Sequence, residues 1–112
     1  MSFKPGQGVL GRITFKDGEV PTYDRTYLIV SVGTDYIEVI NVSSVRGKER
    51  KLAFKTNERL KTHWPPFKMD SFVKLDSLTR IPSSEWGGLR TLCNGQRLDG
   101  NELSRIQAKI IR

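Results

Sequence analysis

Two β-branched runs separated by one tight turn constrain this chain more than any other feature. Residues 26–32 read Thr-Tyr-Leu-Ile-Val-Ser-Val, residues 36–44 read Tyr-Ile-Glu-Val-Ile-Asn-Val-Ser-Ser, and Gly33-Thr34-Asp35 lies between them. Neither run has the three-to-four-residue apolar period of a helix, so both are expected as strands. In the second run Ile37 and Val39 share a face with Asn41, while Glu38, Ile40 and Val42 share the other. Both faces are partly apolar, as in a barrel with a covered outer surface.

The remaining pattern extends this frame. Residues 8–16 read as a further strand and 17–25 as a loop, with Asp17-Gly18 a turn dipeptide and Pro21 unable to donate to a central ladder. Residues 50–55 are expected to extend the sheet. Residues 56–62 suggest a short helical turn capped by Thr56 and ended by Trp64-Pro65-Pro66. Strands are expected at 71–75 and 77–81, the latter stopped by Pro82. In the tail, Asp99 and Glu102 have capping-box spacing, and Leu103, Ile106 and Ile110 form one apolar stripe. A helix is therefore expected over about 99–111. Five or six short strands with one terminal helix point to a mainly β domain spanning residues 1–112, an antiparallel barrel of the SH3-like kind.

Composition narrows the setting. A chain of 112 residues with 37% apolar content suits one compact domain. Its single cysteine, Cys93, excludes an internal disulfide and fits a reducing, cytoplasmic location. No signal peptide and no membrane span is expected, because the apolar runs are only a few residues long. The net charge of +7 implies a polyanionic partner. It is concentrated in residues 46–61, where seven Lys or Arg face two Glu. Arg46, Lys48, Arg50, Lys51 and Lys55 in that run, and Arg80 outside it, are the expected contacts with a nucleic-acid partner. The same run would also serve as a solvated positive face.

Four segments resemble, in order, the MazF/PemK toxin family. Residues 69–86, Met-Asp-Ser-Phe-Val-Lys-Leu-Asp-Ser-Leu-Thr-Arg-Ile-Pro-Ser-Ser-Glu-Trp, are similar to the family's Asp-Ser-apolar-Val segment. Asp24-Arg25-Thr26-Tyr27 resembles its arginine strand, Asn41-Val42-Ser43-Ser44 its Ile-Thr-Ser strand end, and residues 98–110 its last helix. The chain departs from the pattern at Thr26, which replaces a proline, in the 17–24 loop, and at Thr79-Arg80-Ile81, where threonine and arginine are exchanged. The resemblance implies a metal-independent endoribonuclease with a barrel fold. It also implies action on single-stranded mRNA as a homodimer, held inactive by an acidic antitoxin protein. The alternative is a non-catalytic SH3-like module that binds nucleic acid or an acidic peptide.

Metal-free RNA cleavage uses the RNA's own 2′-hydroxyl, so the protein must help remove that proton, stabilise the phosphorane and protonate the leaving oxygen. With one histidine, His63, and no carboxylate pair at ligand spacing, neither a metal nor any other cofactor is expected. Arg25 is the first candidate, since a guanidinium matches a phosphate in charge and geometry. By the resemblance it is the catalytic arginine. By the same resemblance Ser43 hydrogen-bonds the phosphate, Lys74 is the phosphate-side cation, and either Asp76 or Glu19 is the base. The i, i+2 spacing of Lys74 and Asp76 is expected to put both on one strand face. Trp64, Phe67 and Trp86 are candidates to close the barrel or a dimer interface, or to stack on bases. Cys93 is expected as a small half-buried hydrophobe.

Overall fold

The computed structural model describes residues 2–13, 18–19 and 21–112. Seven strands form one antiparallel sheet: β1 (Gly8–Gly11), β2 (Arg25–Val32), β3 (Tyr36–Ser44), β4 (Asn57–Arg59), β5 (Ser71–Lys74), β6 (Thr79–Pro82) and β7 (Leu89–Thr91). Their order is β4-β5-β3-β2-β1-β7, and β6 pairs with the other half of β3, beyond the end of β5. Among the described residues the ladder leaves β4 and β7 as its two edges, so hydrogen bonding does not close it into a barrel. One helix, α1 (Gly100–Lys109), follows β7.

The two central strands run as their sequence demands. Their side chains alternate between two faces, and each face has its own core. Leu28, Val30, Ile40, Val42 and Val73 pack against Leu60, Phe67, Leu75 and Leu98, with Leu103 and Ile106 of α1 closing that side. On the opposite face Tyr27, Ile29, Ile37 and Val39 pack with Phe3, Val9, Ile13, Ile81 and Leu89. Trp86 seals this second core, its ring edge-on to Phe3 at 5.2 Å and its indole N–H donating to the Ile81 carbonyl at 3.2 Å. Complete burial of an aliphatic side chain in such a core contributes about 1.5–3 kcal/mol.

Several local expectations give way to tertiary packing. Residues 49–53 form a 3₁₀ turn rather than a strand, entered through Gly47 at φ +76°. Residues 57–59 are a strand rather than a helical turn. Their pairing with Lys74, Val73 and Phe72 carries the following Leu60 into the core, and that burial outweighs local helix propensity. The first strand stops at Gly11, where an added Cβ would lie 2.5 Å from the Gly88 carbonyl oxygen. Residues 14–16 of its expected length lie outside the described residues. The helix ends at Lys109, two residues early. Ile110 is already extended, and the Ile111 amide donates to the Leu75 carbonyl at 2.9 Å.

The Asp99 cap holds as expected, its carboxylate accepting from the Glu102 amide at 3.1 Å. Glu102 does something the capping box does not predict. Its buried carboxylate accepts from the Lys61 and Thr62 amides and from Arg105, which in turn bonds Glu58 of β4. The carboxylate thereby ties α1 to the chain leaving β4. Burial pushes the Glu102 carboxyl up, but the bonds from Arg105, Thr62 and Lys61 outweigh it and hold it below the ordinary value of 4.5. A depressed carboxyl pKa stabilises the fold above the unfolded value, and that contribution is lost as pH falls through the folded value. Glu102→Ala is therefore expected to cost about 2–4 kcal/mol at pH 7 in urea denaturation. Its deficit relative to the parent should shrink as the pH falls below 4.5. An equal deficit at pH 7 and in acid would show that the carboxylate charge is not what ties α1 down.

Candidate phosphate-binding cleft

On the face that carries the second core, the apolar stripe of β2 and β3 runs out at one end. Tyr27, Ile29, Ile37 and Val39 give way there to Arg25, Asn41 and Ser43, which have the same strand parity. The register sets their company. Thr26 lies across from Val42, so Arg25 lies one step along, beside Ser43. Ser43 in turn pairs with Phe72 of β5, and Lys74 follows two residues later on that same face. Directly opposed and diagonal neighbours in such a sheet have Cβ atoms roughly 5–8 Å apart. Arg25, Ser43 and Lys74 thus converge across three adjacent strands.

They line a cleft of about 400 Å³ together with Tyr23, Asp24, Asn41, Lys48 and Lys51. The lysines of the 46–61 run arrive through backbone geometry. The Lys51 amide donates to the Lys48 carbonyl at 2.9 Å, and this i, i+3 turn eclipses the two side chains on one side. Four cations therefore face the cleft against one carboxylate. That carboxylate, Asp24, is paired with Arg12 at 3.3 Å and Arg90 at 3.6 Å. The Arg25 guanidinium sits 4.9 Å from the centre of the Tyr23 ring, which is itself exposed at the rim.

Lys74 reports the electrostatics of the site. Burial is the largest influence pressing its pKa below the ordinary lysine value, and the charges of Lys51, Arg25 and Lys48 add to it. Asp76 acts the other way and is outweighed. A half-buried ammonium crowded by three like charges is unfavourable by itself and is relieved by an anion that all four cations share. A phosphate meets that need, since Arg binds it through paired N–H donors and Lys as a point charge.

The other candidates fall elsewhere. Asp76 does not share a strand face with Lys74, because β5 ends at Lys74. The Ser77 amide and hydroxyl both donate to the Lys74 carbonyl, at 3.2 and 2.7 Å, and turn the chain away. Asp76 is exposed on that turn and does not line the cleft, although its charge is felt at Lys74. Glu19 is exposed and also outside the lining. Arg46, Arg50 and Lys55 are exposed on the 46–61 segment but off the cleft wall. Arg80 lies across from Glu38, bonded to it at 3.6 Å and stacked on Tyr36 at 4.0 Å. Glu38 and Ser43 are five residues apart on β3, roughly 16 Å at about 3.3 Å per residue. His63 bonds the Phe67 carbonyl through Nδ1 at 2.8 Å, on the loop after β4. Sequence reading missed Tyr23 and Asn41. The period-2 alternation already placed Asn41 on the Ile37–Val39 face, and its distance from the apolar stretch is the signal that would have found it.

Comparison of the chain with protein-family models and with curated protein sequences gives no match, so the cleft has to be understood from its own residues. If four crowded cations define it, Lys74→Met should raise the urea midpoint at pH 7 by removing one charge while keeping the aliphatic stem. A lysine pKa depressed by folding penalises the folded state below the folded value, and the penalty fades as pH climbs toward 10.5. The advantage of the variant should fade over the same window. Added inorganic phosphate should stabilise the parent more than the variant. Equal stabilisation of both proteins by phosphate would rule out Lys74 as a phosphate partner.

Proposed function

We propose that the protein is a metal-independent endoribonuclease of toxin type that cuts single-stranded RNA. In this reading it works in the cytoplasm as a homodimer built on an SH3-like barrel, and an acidic antitoxin protein holds it inactive. The observation that carries the proposal is the convergence of Arg25, Ser43 and Lys74 in one cation-lined cleft. These are three of the positions that the resemblance to MazF/PemK toxins marks.

The chemistry follows from their types. The RNA's 2′-hydroxyl attacks the neighbouring phosphorus, the P–O5′ bond breaks, and a 2′,3′-cyclic phosphate forms. Arg25 and Lys74 balance the charge that builds on the non-bridging oxygens, and the Ser43 hydroxyl donates a hydrogen bond to one of them. Lys74, with its lowered pKa, is the cation in the cleft best suited to pass a proton to the leaving 5′-oxygen. Asp76 is the base if the turn after β5 swings its carboxylate toward the 2′-hydroxyl when RNA binds. An acidic inhibitor suits the same four cations and would screen them from RNA.

A second reading has its own support. Neither Asp76 nor Glu19 lines the cleft, which suits a module that binds single-stranded nucleic acid without cutting it. Cleavage separates the two. With a chelator present, single-stranded RNA should still be cut and leave 2′,3′-cyclic or 3′-phosphate ends. A strand with a 2′-deoxy sugar at the cut site should bind and stay intact. Arg25→Ala should slow cleavage about 10²–10³-fold with the fold retained. RNA affinity should fall as salt rises, and again as the pH passes Lys74's lowered pKa. Binding without cleavage of any RNA would favour the second reading, whereas cutting of the deoxy strand would exclude 2′-hydroxyl attack.

A further inference from the structure

A second cavity adjoins the cationic cleft. It is an open, mostly apolar pocket of about 470 Å³, within the roughly 300–1,000 Å³ range of small-molecule sites. Thr26, Val42, Ser43 and Ser44 line both cavities. These residues are the start of β2 and the end of β3, so the cavities meet around one strand end. Beyond that shared wall the chemistry changes. The cleft continues into Lys48, Lys51 and Lys74, while the pocket continues into Phe67, Met69 and Leu92, with Lys68 and Thr91 also in its lining.

We infer that this pocket receives an unstacked nucleobase of the same strand whose phosphate occupies the cationic cleft. The inference rests on the nucleic-acid reading above and adds to it a place where sequence is read. A nucleotide joins an anion to a flat apolar body with a polar rim. The cleft binds the anion and is blind to sequence. The pocket is useful only to a ligand that carries an apolar body within one nucleotide's reach of the phosphate, and a free phosphate or a sugar phosphate leaves it empty. The Ser44 and Thr91 hydroxyls can both donate and accept, which suits the edge of a base more than an aliphatic chain. A duplex keeps its bases stacked and paired, so occupancy demands a single strand or a loop.

The chain supplies its own reporter. Cys93, the only cysteine, lines the pocket, and its thiol donates to the Pro66 carbonyl at 3.1 Å. The test uses the unmodified protein and follows backbone amide shifts by NMR together with the rate of Cys93 alkylation. The probes are inorganic phosphate, ribose 5-phosphate and the four nucleoside 5′-monophosphates. Phosphate and ribose 5-phosphate should shift the Ser43 and Lys74 amides and leave Leu92, Cys93 and the alkylation rate unchanged. At least one nucleotide should bind about tenfold tighter than ribose 5-phosphate, shift Leu92 and Cys93, and slow alkylation. Nucleotides that bind no better than ribose 5-phosphate, with the pocket signals unmoved, would overturn the base pocket and leave the phosphate cleft standing. The base pocket would also fall if an acidic peptide with an apolar anchor moved those signals and nucleotides did not, since the pocket would then belong to a protein partner. No shift at Ser43 or Lys74 with any probe would overturn the cleft and the pocket together.

Discussion

The antiparallel pairing of β2 with β3 is the contact on which the rest of the molecule depends. It lies in the middle of the sheet, and the two-residue period sorts its side chains onto two faces that are both covered. Leu28, Val30, Ile40 and Val42 commit one face to α1, and Tyr27, Ile29, Ile37 and Val39 commit the other to the second core. A slip of one residue would exchange these sets and leave both cores mismatched, so the apolar pattern locks the register. That same register carries Arg25 beside Ser43. The cleft needs no scaffold of its own, because it is the polar end of a stripe whose apolar part holds the protein together.

A site placed this way is in tension with stability. Lys74 is half-buried among Lys48, Lys51 and Arg25, and no structural benefit of that crowding is evident. Several cations outside the cleft sit beside carboxylates instead: Arg59 beside Asp70, Arg105 beside Glu58 and Glu102, Arg80 beside Glu38. The crowding of three other cations around Lys74 marks the cleft as a candidate site more sharply than the overall charge of +7 does. Proteins hold like charges together where a ligand of opposite charge completes the arrangement.

The sequence was most informative where burial and periodicity agree. The two central strands appear within a residue of the expected bounds, and the Asp99 cap begins α1. It was least informative between residues 46 and 62. There a polar, cation-rich stretch has no strong period, and only contact with β5 and the need to bury Leu60 decide that 57–59 is a strand. The cleft divides in the same way. Arg25, Ser43 and Lys74 meet because they sit on strands whose register follows from apolar alternation. Asp76 was misplaced because a hydrogen-bonded turn ends β5 at Lys74, and spacing alone does not reveal where a short strand stops. Lys48 and Lys51 reach the cleft through a 3₁₀ turn, which sorts them from Arg46, Arg50 and Lys55 in a way that charge counting does not.

In the function proposed above, Arg25, Ser43 and Lys74 together hold one phosphate of a nucleic-acid strand. The most direct measurement is a crystal structure of the protein with a short single-stranded DNA, an uncleavable stand-in for RNA. One backbone phosphate is expected within hydrogen-bond distance of the Arg25 guanidinium, the Ser43 hydroxyl and the Lys74 ammonium. A strand lying instead along Arg46, Arg50 and Lys55, with the cleft empty of phosphate, would contradict it.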